Sequence, residues 1–422
     1  MLIGIDATPA NRKFKSGTEW YAYNLIRQLA QIDSKNQYVL YSDRPLTGGL
    51  SDLRTDASES AEIKINQHGC QEIKSPHNNF KVKILNWPWK HLWTQGRLSW
   101  EMLRRPPDVL FVPAHVLPLI HPKNSVTTIH DIGFERNQEL YEQEKIGPQK
   151  FIYKKIVSLL FRLLTRNKFR TNVLDYHSWS VKFALKYARA VITVSNFTKN
   201  EINEVYGNQL DKIKVVYNGF NDQLYKKNID QAKIGQVLER YGVRQPYIFY
   251  VGRLEKKKNS QILVNAFAIL KQRYKEIKHK LVLAGNAGLG FDEIKYTILE
   301  FDLSNEVMIT GWVPEADLPY LFAGASLFIF PSLYEGFGIP LLEAMSASVP
   351  IICSRAGSLP EVAAEAALYF DPRDKNEIAE IMRQVLVNKN LANDLVAKGN
   401  ERVKHFSLDK CARETLKVIE AL

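Results

Sequence analysis

The order of its apolar segments constrains the fold of this chain more than any other feature. Short runs rich in Val, Ile, Leu and Phe alternate with longer segments of helical periodicity, which is typical of βαβ units and parallel sheets. Strands are predicted near Leu2–Asp6, Tyr38–Tyr41, Val109–Pro113, Val126–Ile129, Ala190–Val194 and Lys214–Tyr217, and again near Tyr247–Val251, Lys280–Ala284, Val307–Ile309, Leu327–Phe330, Pro350–Cys353 and Leu368–Phe370. Six strands in each half predict an α/β protein with two doubly wound, Rossmann-like sheets.

The length of the chain agrees with two domains. It has 422 residues, about twice the usual size of one domain. The polar segment 218–245 separates the two sets of strands, so the first domain is predicted over residues 1–218. Ligands of open α/β sheets bind beyond the carboxyl ends of the strands, and two such sheets are expected to face one another across a cleft.

Composition and cysteine usage exclude several other classes of protein. Hydrophobic residues make up 45% and charged residues 24% of the chain, as in ordinary globular proteins. Cys70, Cys353 and Cys411 are far apart and form no CxxC pattern, so neither a disulfide framework nor a zinc site is predicted. The start of the chain lacks the pattern of a secretion signal, and no segment predicts a membrane span. A cytoplasmic protein is expected.

Positive charge is concentrated in the first half. Residues 1–220 hold 31 Lys and Arg against 20 Asp and Glu, whereas residues 221–422 hold 26 against 25. This asymmetry indicates either an anionic partner of the first half, such as an acidic substrate or an anionic membrane surface, or simply a soluble protein of high isoelectric point. Nucleic acid is also compatible with the charge, but no motif supports it.

The segment Phe151–Arg170 is basic and apolar. As a helix it would place Ile152, Ile156 and Leu160 on one stripe and Lys155 and Arg162 on another. This pattern predicts peripheral docking on an anionic membrane at its inner face. The alternative is an ordinary domain helix whose apolar stripe lies in the core.

A glycine loop follows the predicted strand Leu327–Phe330. Gly336 and Gly338 precede Pro340, which suits the first turn of a helix. The N–H groups and positive dipole of such a helix start form an anion site suited to a diphosphate. Glu335 and Glu343 flank this site.

These two glutamates have different predicted roles. Glu335 lies in the loop and could accept hydrogen bonds from sugar hydroxyls, whereas Glu343 lies in the helix and could accept from a ribose diol. The alternative is that Glu343 only stabilises the helix dipole and Glu335 is an ordinary surface residue.

A second loop rich in cations follows the strand Tyr247–Val251. Gly252 ends the strand, and Arg253 and Lys256–Lys258 follow it. Cations placed there could neutralise a leaving diphosphate. The alternative is a solvated lysine run.

No metal is expected at this site. The chain has no two aspartates two residues apart, a pair that could hold a divalent ion on a diphosphate. His115, His121 and His130 are interrupted by prolines and have no known ligand spacing. The loop 285–290 does not read GxGxxG, so a dehydrogenase is not predicted, and the loop is interpreted as a tight turn at the cleft wall.

These segments together resemble a known family. Glu335 to Glu343 resembles the E-x7-E motif of the retaining glycosyltransferases of GT-B family 4, the "glycosyl transferases group 1", and Gly252 to Asn259 is similar to its G-R-L-x-x-x-K-N segment. Further segments that match the family are Ser16–Glu19, Thr128–Asp131, Val194–Phe197, Tyr217–Gly219, Gly311–Pro314 and Phe406–Ser407. The resemblance implies the GT-B architecture, with a nucleotide-sugar domain over residues 219–404 and a last helix, 405–422, that returns to the first domain.

The resemblance also implies roles for single residues. Glu335, His130, Arg253 and Lys258 would form the catalytic site, with His130 near the C6 side of the reacting sugar. Residues implied in binding the donor are Gly17, Arg253, Lys258, Val313, Glu335, Gly338, Ile339, Pro340, Leu341 and Glu343.

The function predicted from this resemblance is a retaining, metal-independent glycosyltransferase. It would move a hexose from a GDP- or UDP-sugar to a glycan or lipid-linked acceptor in polysaccharide biosynthesis. The general resemblance of residues 16–20 and 130–134 favours mannose as the hexose. No enzyme nucleophile is evident, which favours a front-face reaction over a covalent intermediate. The alternatives are a nucleotide-sugar epimerase or phosphorylase of the same fold, or a non-catalytic nucleotide-sugar or glycan-binding relative.

Overall fold

The computed structural model describes residues 1–54, 70–88, 92–141, 173–207, 210–226 and 230–422. The chain divides into two compact units, Met1–Gly219 with Leu408–Leu422 and Phe220–Ser407. The domain boundaries predicted from the sequence lie after residues 218 and 404, whereas the boundaries in the structure lie after residues 219 and 407. Each unit is a sheet covered by helices, which confirms the predicted α/β fold with two Rossmann-like sheets.

The first unit contains an eight-stranded sheet in the order β3-β4-β2-β1-β5-β6-β7-β8. Its strands are β1 Leu2–Asp6, β2 Gln37–Ser42, β3 Cys70–Gln71, β4 Phe80–Ile84, β5 Val109–Val112, β6 Ser125–Ile129, β7 Ala190–Thr193 and β8 Ile213–Val215. All neighbouring strands are parallel except β3 and β4. Strands β5 and β6 are buried along their whole length, as expected for a parallel sheet covered on both faces.

The helices of the first unit connect these strands. They are α1 Gly17–Ile32, α2 Ser99–Arg104, α3 Gly133–Arg136, α4 Val173–Tyr187 and α5 Asn196–Tyr206. Helix α1 buries Leu25 and Leu29, four residues apart on one face, against the sheet. Helix α5 begins at Ser195, whose hydroxyl accepts the Thr198 N–H as an N-cap.

The second unit contains a six-stranded parallel sheet in the order β11-β10-β9-β12-β13-β14. Its strands are β9 Tyr247–Val251, β10 Lys280–Ala284, β11 Val307–Gly311, β12 Leu327–Phe330, β13 Ile351–Ser354 and β14 Ala367–Phe370. Its helices are α6 Asp222–Lys226, α7 Gln231–Arg240, α8 Ser260–Arg273, α9 Phe291–Glu300, α10 Leu318–Ala323, α11 Ile339–Ser346, α12 Leu359–Ala363, α13 Lys375–Val387 and α14 Lys389–Arg402. The adjacent central strands β9 and β12 bring the two predicted donor loops to the same edge of the sheet.

The last helix, α15 Leu408–Glu420, belongs to the first unit. Cys411, Ala412 and Ile419 are buried in the core that also contains Leu25 and Leu29 of α1. The predicted return of the C-terminal helix to the first domain is therefore confirmed. Cys411 is thus a core residue, and its burial raises the pKa of the thiol to about 12.

The structure contains all twelve predicted strands, with ends that coincide or differ by at most two residues, and adds β3 and β4. Strand β4 reads Phe-Lys-Val-Lys-Ile, which alternates in the way a half-exposed strand does. This strand was not predicted, because its apolar residues alternate with lysines and form no continuous apolar run. The predicted membrane-docking segment 151–170 lies outside the described residues. Within the described ranges, no helix has the length and apolar character that crossing a membrane requires.

Candidate active site

The turn between β12 and α11 is formed by glycine and proline. Gly338 has a φ of +99°, a conformation that favours glycine, and a Cβ there would lie 2.6 Å from Cδ2 of Leu359. Pro340 carries no N–H, and the Leu341 N–H donates to the Gly338 carbonyl at 3.0 Å. The backbone donors that this turn can offer an anion are therefore those of Gly338 and Ile339, fewer than the sequence suggested.

Glu335 and Lys258 form an ion pair in the second unit. Lys258 Nζ lies 2.5 Å from Glu335 Oε1, and Glu335 is 8% exposed. The two loops that carry these residues are joined by a hydrogen bond from the Leu333 N–H to the Lys257 carbonyl at 2.9 Å. Hydrogen bonds between charged groups are stronger than neutral ones, so the pair fixes the carboxylate beside the start of α11.

Two residues that were not predicted from the sequence, Gly357 and Ser358, contact the backbone of Glu335. The Ser358 N–H and the Ser358 hydroxyl both donate to the Glu335 carbonyl, each at 3.1 Å. Gly357 has a φ of +59°, and a Cβ at this position would lie 2.4 Å from the Glu335 carbonyl oxygen. Both residues follow β13, the neighbour of β12, so the rule that sites lie after the carboxyl ends of strands could have found them.

The loop that carries Arg253 is supported by the glycine-rich segment 285–290. A Cβ on Gly285 would lie 1.9 Å from the Gly252 carbonyl oxygen, so only glycine allows this approach. Leu254 forms a parallel bridge with Ala287. The segment, predicted to be a tight turn, thus extends the pairing of β9 and β10 and supports the loop. The Arg253 guanidinium lies 3.3 Å from Glu255 and is 56% exposed, so it can reach a ligand.

The carboxyl group of Glu343 lies in an apolar and acidic environment. Burial, together with the nearby Glu315 carboxylate, raises the pKa of Glu343 to about 7, and the hydroxyl of Tyr225 opposes this shift. Tyr225 is itself buried on α6. Because Glu315 directly follows the family-matching segment Gly311–Pro314, that segment and the helix α11 meet here.

We expect Glu343→Gln to stabilise the ligand-free protein above pH 7. Below the unfolded pKa of about 4.5, Glu343 is protonated in both states, so it contributes no pH dependence. Between pH 4.5 and pH 7 the unfolded state releases this proton first, so the wild type loses stability as the pH rises. The free energy of unfolding of the variant should exceed that of the wild type by about 1–3 kcal/mol at pH 8 and converge with it at pH 4.5.

Thermal or urea unfolding at pH 4.5, 6 and 8 measures this difference. Glu300→Gln is a matched control, because Glu300 is exposed at the end of helix α9 in the same unit. A difference between Glu343→Gln and the wild type that does not change with pH would contradict the raised pKa.

In the first unit, His130 follows β6 and is fixed on both sides. Its Nε2 lies 3.2 Å from the Pro113 carbonyl oxygen, and its ring packs edge-on against Tyr21 at 4.8 Å. The pKa of His130 is lowered, because burial has the largest effect on it and outweighs the effects that raise it. A carbonyl only accepts, so Nε2 carries the proton and Nδ1 is left as an acceptor.

The start of α1 lies near this histidine. The Glu19 carboxylate accepts the Ser16 N–H at 3.0 Å, as in a capping box, and is near enough to raise the pKa of His130 in part. Gly17 begins the helix, and a Cβ there would meet no atom within 4 Å. The structure therefore brings the first turns of α1, through Glu19 and Tyr21, next to His130.

A histidine pair beside His130 was also missed. His115 Nε2 lies 2.6 Å from His177 Nδ1 of α4, and burial together with the neighbouring histidines lowers the pKa of His115 to about 3. Both imidazoles are thus neutral, and the N–H of one ring donates to the unprotonated nitrogen of the other. Among the residues that the structure describes, no three His, Cys, Asp or Glu side chains are grouped as a metal site would need.

Comparison with known families matches both halves of the chain. The family described as "Glycosyltransferase Family 4" matches residues 15–224, and "Glycosyl transferases group 1" matches residues 239–402. Together the two matches account for 374 of the 422 residues.

Similar proteins include an O-antigen chain mannosyltransferase B of Escherichia coli. It is 32% identical over 248 residues, which are 58% of this chain and 64% of that protein. This chain thus matches less than two thirds of that relative's length. Similar solved structures are a sucrose-phosphate synthase from Thermosynechococcus elongatus, with 17% identity, a TM-score of 0.70 and 100% and 98% of the two chains covered, and Anabaena HepE in complex with UDP-glucose, with 16% identity, a TM-score of 0.68 and 100% and 99% covered.

Proposed function

Because this chain belongs to the family 4 glycosyltransferases, we propose that it is a retaining, metal-independent hexosyltransferase that uses a nucleoside-diphosphate sugar and elongates a glycan or lipid-linked acceptor. The observation that carries the proposal is the Lys258–Glu335 pair beside the start of α11. In this pair, Glu335 would accept from sugar hydroxyls and Lys258 would bind the diphosphate, and the two groups are in direct contact. The GT-B fold, shared with the similar solved structures, is compatible with many reactions, so the site and not the fold supports this choice.

The donor would lie across the carboxyl edge of the second sheet. Arg253 and Lys258 would bind the diphosphate, with the N–H groups of Gly338 and Ile339 at the positive end of α11. Glu343 would accept from the ribose, and Glu335 from the hexose. Binding of a polar diol to Glu343 favours its ionised form, so donor binding would release a proton near pH 7.

The reaction would proceed at the front face of the sugar. The bond between the anomeric carbon and the diphosphate oxygen breaks, the acceptor oxygen bonds to that carbon on the same face, and the acceptor proton passes to the departing phosphate. Catalysis would then come from holding the substrates in place and from stabilising the leaving charge with Lys258 and Arg253. His130, neutral with a free Nδ1, would contact the reacting sugar.

The proposed donor is GDP-mannose. The similarity to an O-antigen mannosyltransferase supports the sugar, whereas a similar structure of low identity holds UDP-glucose, so uridine is the competing base.

A thermal-shift panel of GDP, UDP, ADP and dTDP tests this donor, followed by assays of diphosphate release from GDP-mannose and UDP-glucose. A ligand at 100 times its Kd adds about 2.7 kcal/mol to the free energy of unfolding, so GDP should raise the Tm by several degrees and UDP by less. A larger shift in Tm with UDP than with GDP, together with release of UDP from UDP-glucose, would contradict guanosine as the nucleoside of the donor. If no nucleoside diphosphate is released from either donor, the proposed transferase activity would be wrong.

A further inference from the structure

The starts of four neighbouring strands in the first unit lie at the edge of the sheet opposite His130. Strands β5, β6, β7 and β8 are parallel and adjacent, so their amino ends share one edge, which we call the amino edge. Each of these strands is preceded by a cation. These are Arg104 and Arg105 before β5, Lys123 before β6, Arg189 before β7 and Lys212 before β8.

Large apolar side chains are exposed at the same edge. Trp100 is 51%, Leu103 57%, Ile120 42% and Tyr187 46% exposed. The elements that carry them are in contact, because the Ile120 N–H approaches the Ser99 hydroxyl at the start of α2 at 3.4 Å. The ring of His121, next to Ile120, packs against Phe183 and Tyr187 of α4. The four side chains therefore belong to one surface.

A cavity of about 310 Å³ opens beside this apolar surface. Lys182, Lys186 and Lys212 line it, together with Leu185 and Tyr206. Lys212 Nζ donates to the Leu185 carbonyl at 2.6 Å, and its partial burial together with the nearby Arg189 lowers its pKa. Cations that are forced together in this way are stabilised by an anion.

Some carboxylates moderate this charge. Glu135 accepts the Tyr206 hydroxyl at 2.7 Å, Asp108 accepts the Leu2 N–H at 2.6 Å, and Asp211 lies next to Lys212. They are fewer than the cations of the amino edge and its cavity, so the surface is positive.

We propose that the amino edge docks on a bilayer of anionic phospholipids, with Trp100, Leu103, Ile120 and Tyr187 among the headgroups and a headgroup phosphate in the lysine cavity. Tryptophan and tyrosine are enriched at membrane interfaces, and lysine near an anionic leaflet adds electrostatic attraction. Apolar insertion and charge attraction together give reversible peripheral binding.

A nucleic acid fits this surface less well. Leu103 and Ile120 are aliphatic and offer no stacking platform to a base. The rings of Trp100 and Tyr187 already have a cation over one face, Arg104 at 5.0 Å and Lys186 at 4.9 Å. Both features suit a hydrocarbon boundary with phosphate headgroups.

Sedimentation with vesicles tests the proposal on the full chain. The wild type should bind vesicles of phosphatidylglycerol and phosphatidylcholine, bind less as salt rises, and ignore pure phosphatidylcholine. Lys182→Glu/Lys186→Glu/Arg189→Glu changes three exposed cations and should weaken the partition at least tenfold. Trp100→Ser/Leu103→Ser should weaken it at low and at high salt.

Matched changes in the second unit serve as controls. Lys275→Glu/Lys375→Glu/Lys389→Glu makes the same change of charge at exposed positions, and Tyr296→Ser/Leu299→Ser removes side chains that are 68% and 70% exposed. Both controls should bind vesicles like the wild type.

Three outcomes would overturn the proposal. The first is equal vesicle binding by the triple variant, its control and the wild type, and the second is no binding by any of them. The third is displacement from vesicles by RNA with equal loss of RNA binding in the triple variant, which would assign the surface to nucleic acid. Release of nucleoside diphosphate from the donor in solution should be unchanged in all variants, so failure here is distinct from failure of the proposed function.

Discussion

Replacing Glu335 by glutamine is expected to lower kcat at least 100-fold while the protein remains folded. The change keeps the size of the side chain but removes a charged acceptor that is 8% exposed and paired with Lys258. A hydrogen bond to a charged group contributes about 1.5–3 kcal/mol, and the loss is larger if the contact tightens in the transition state. Transfer assays with the proposed donor, together with a melting curve, measure both quantities.

Glu300→Gln is the matched control for Glu335, because it makes the same change at an exposed position of the same unit. Its turnover should equal that of the wild type. A folded Glu335→Gln variant with wild-type turnover would remove Glu335 from the reaction, and a variant that unfolds would assign it a structural role.

The second sheet was predicted well because its strands are continuous apolar runs. Strand β9 is buried at four of its five residues and β12 at all four, and such runs are conspicuous in a sequence. The same argument placed Arg253, Lys258 and Glu335 after neighbouring strands, and the structure brings Lys258 into contact with Glu335. A contact between two loops that follow strands of the same sheet could therefore be predicted from the sequence.

Contacts that depend on tertiary packing were not accessible. Gly357 looks like any turn glycine until the Glu335 carbonyl is seen where its Cβ would lie. His177 lies 62 residues from His115, and nothing in the pattern of α4 marks it. The pKa of Glu343 likewise depends on Tyr225 and Glu315, which come from two other elements.

The buried charges of the site also explain why it should be sensitive to substitution. Glu343 is held where burial disfavours its ionised form, and Glu335 is stabilised chiefly by one lysine. Partly buried ion pairs contribute little net stability but leave an unpaired charge when one partner is removed. Such an arrangement favours ligand binding over stability, which is expected of a functional site.

Replacing Lys258 by methionine is expected to lower turnover at least 100-fold, and an excess of EDTA should leave the wild type unaffected. Methionine keeps the approximate length of the side chain, but it removes the ammonium, which lies over the Phe330 ring and is proposed to stabilise the departing diphosphate. Lys256→Met is the matched control, since Lys256 belongs to the same 3₁₀ turn, Lys256–Lys258, and is 47% exposed. Its turnover should change less than threefold.

The double variant Lys258→Met/Glu335→Gln shows whether the pair acts as one unit. If the ammonium positions the carboxylate for the sugar and also binds the diphosphate, the double variant should be about as slow as the slower single variant, because groups that act together give non-additive effects. Additive losses would mean that the two side chains serve separate steps.

Two outcomes would contradict the role of the Lys258 ammonium. Loss of activity on chelation, restored by magnesium or manganese, would show that a metal neutralises the leaving charge. A Lys256→Met variant as slow as Lys258→Met would show that the turn and not the ammonium matters.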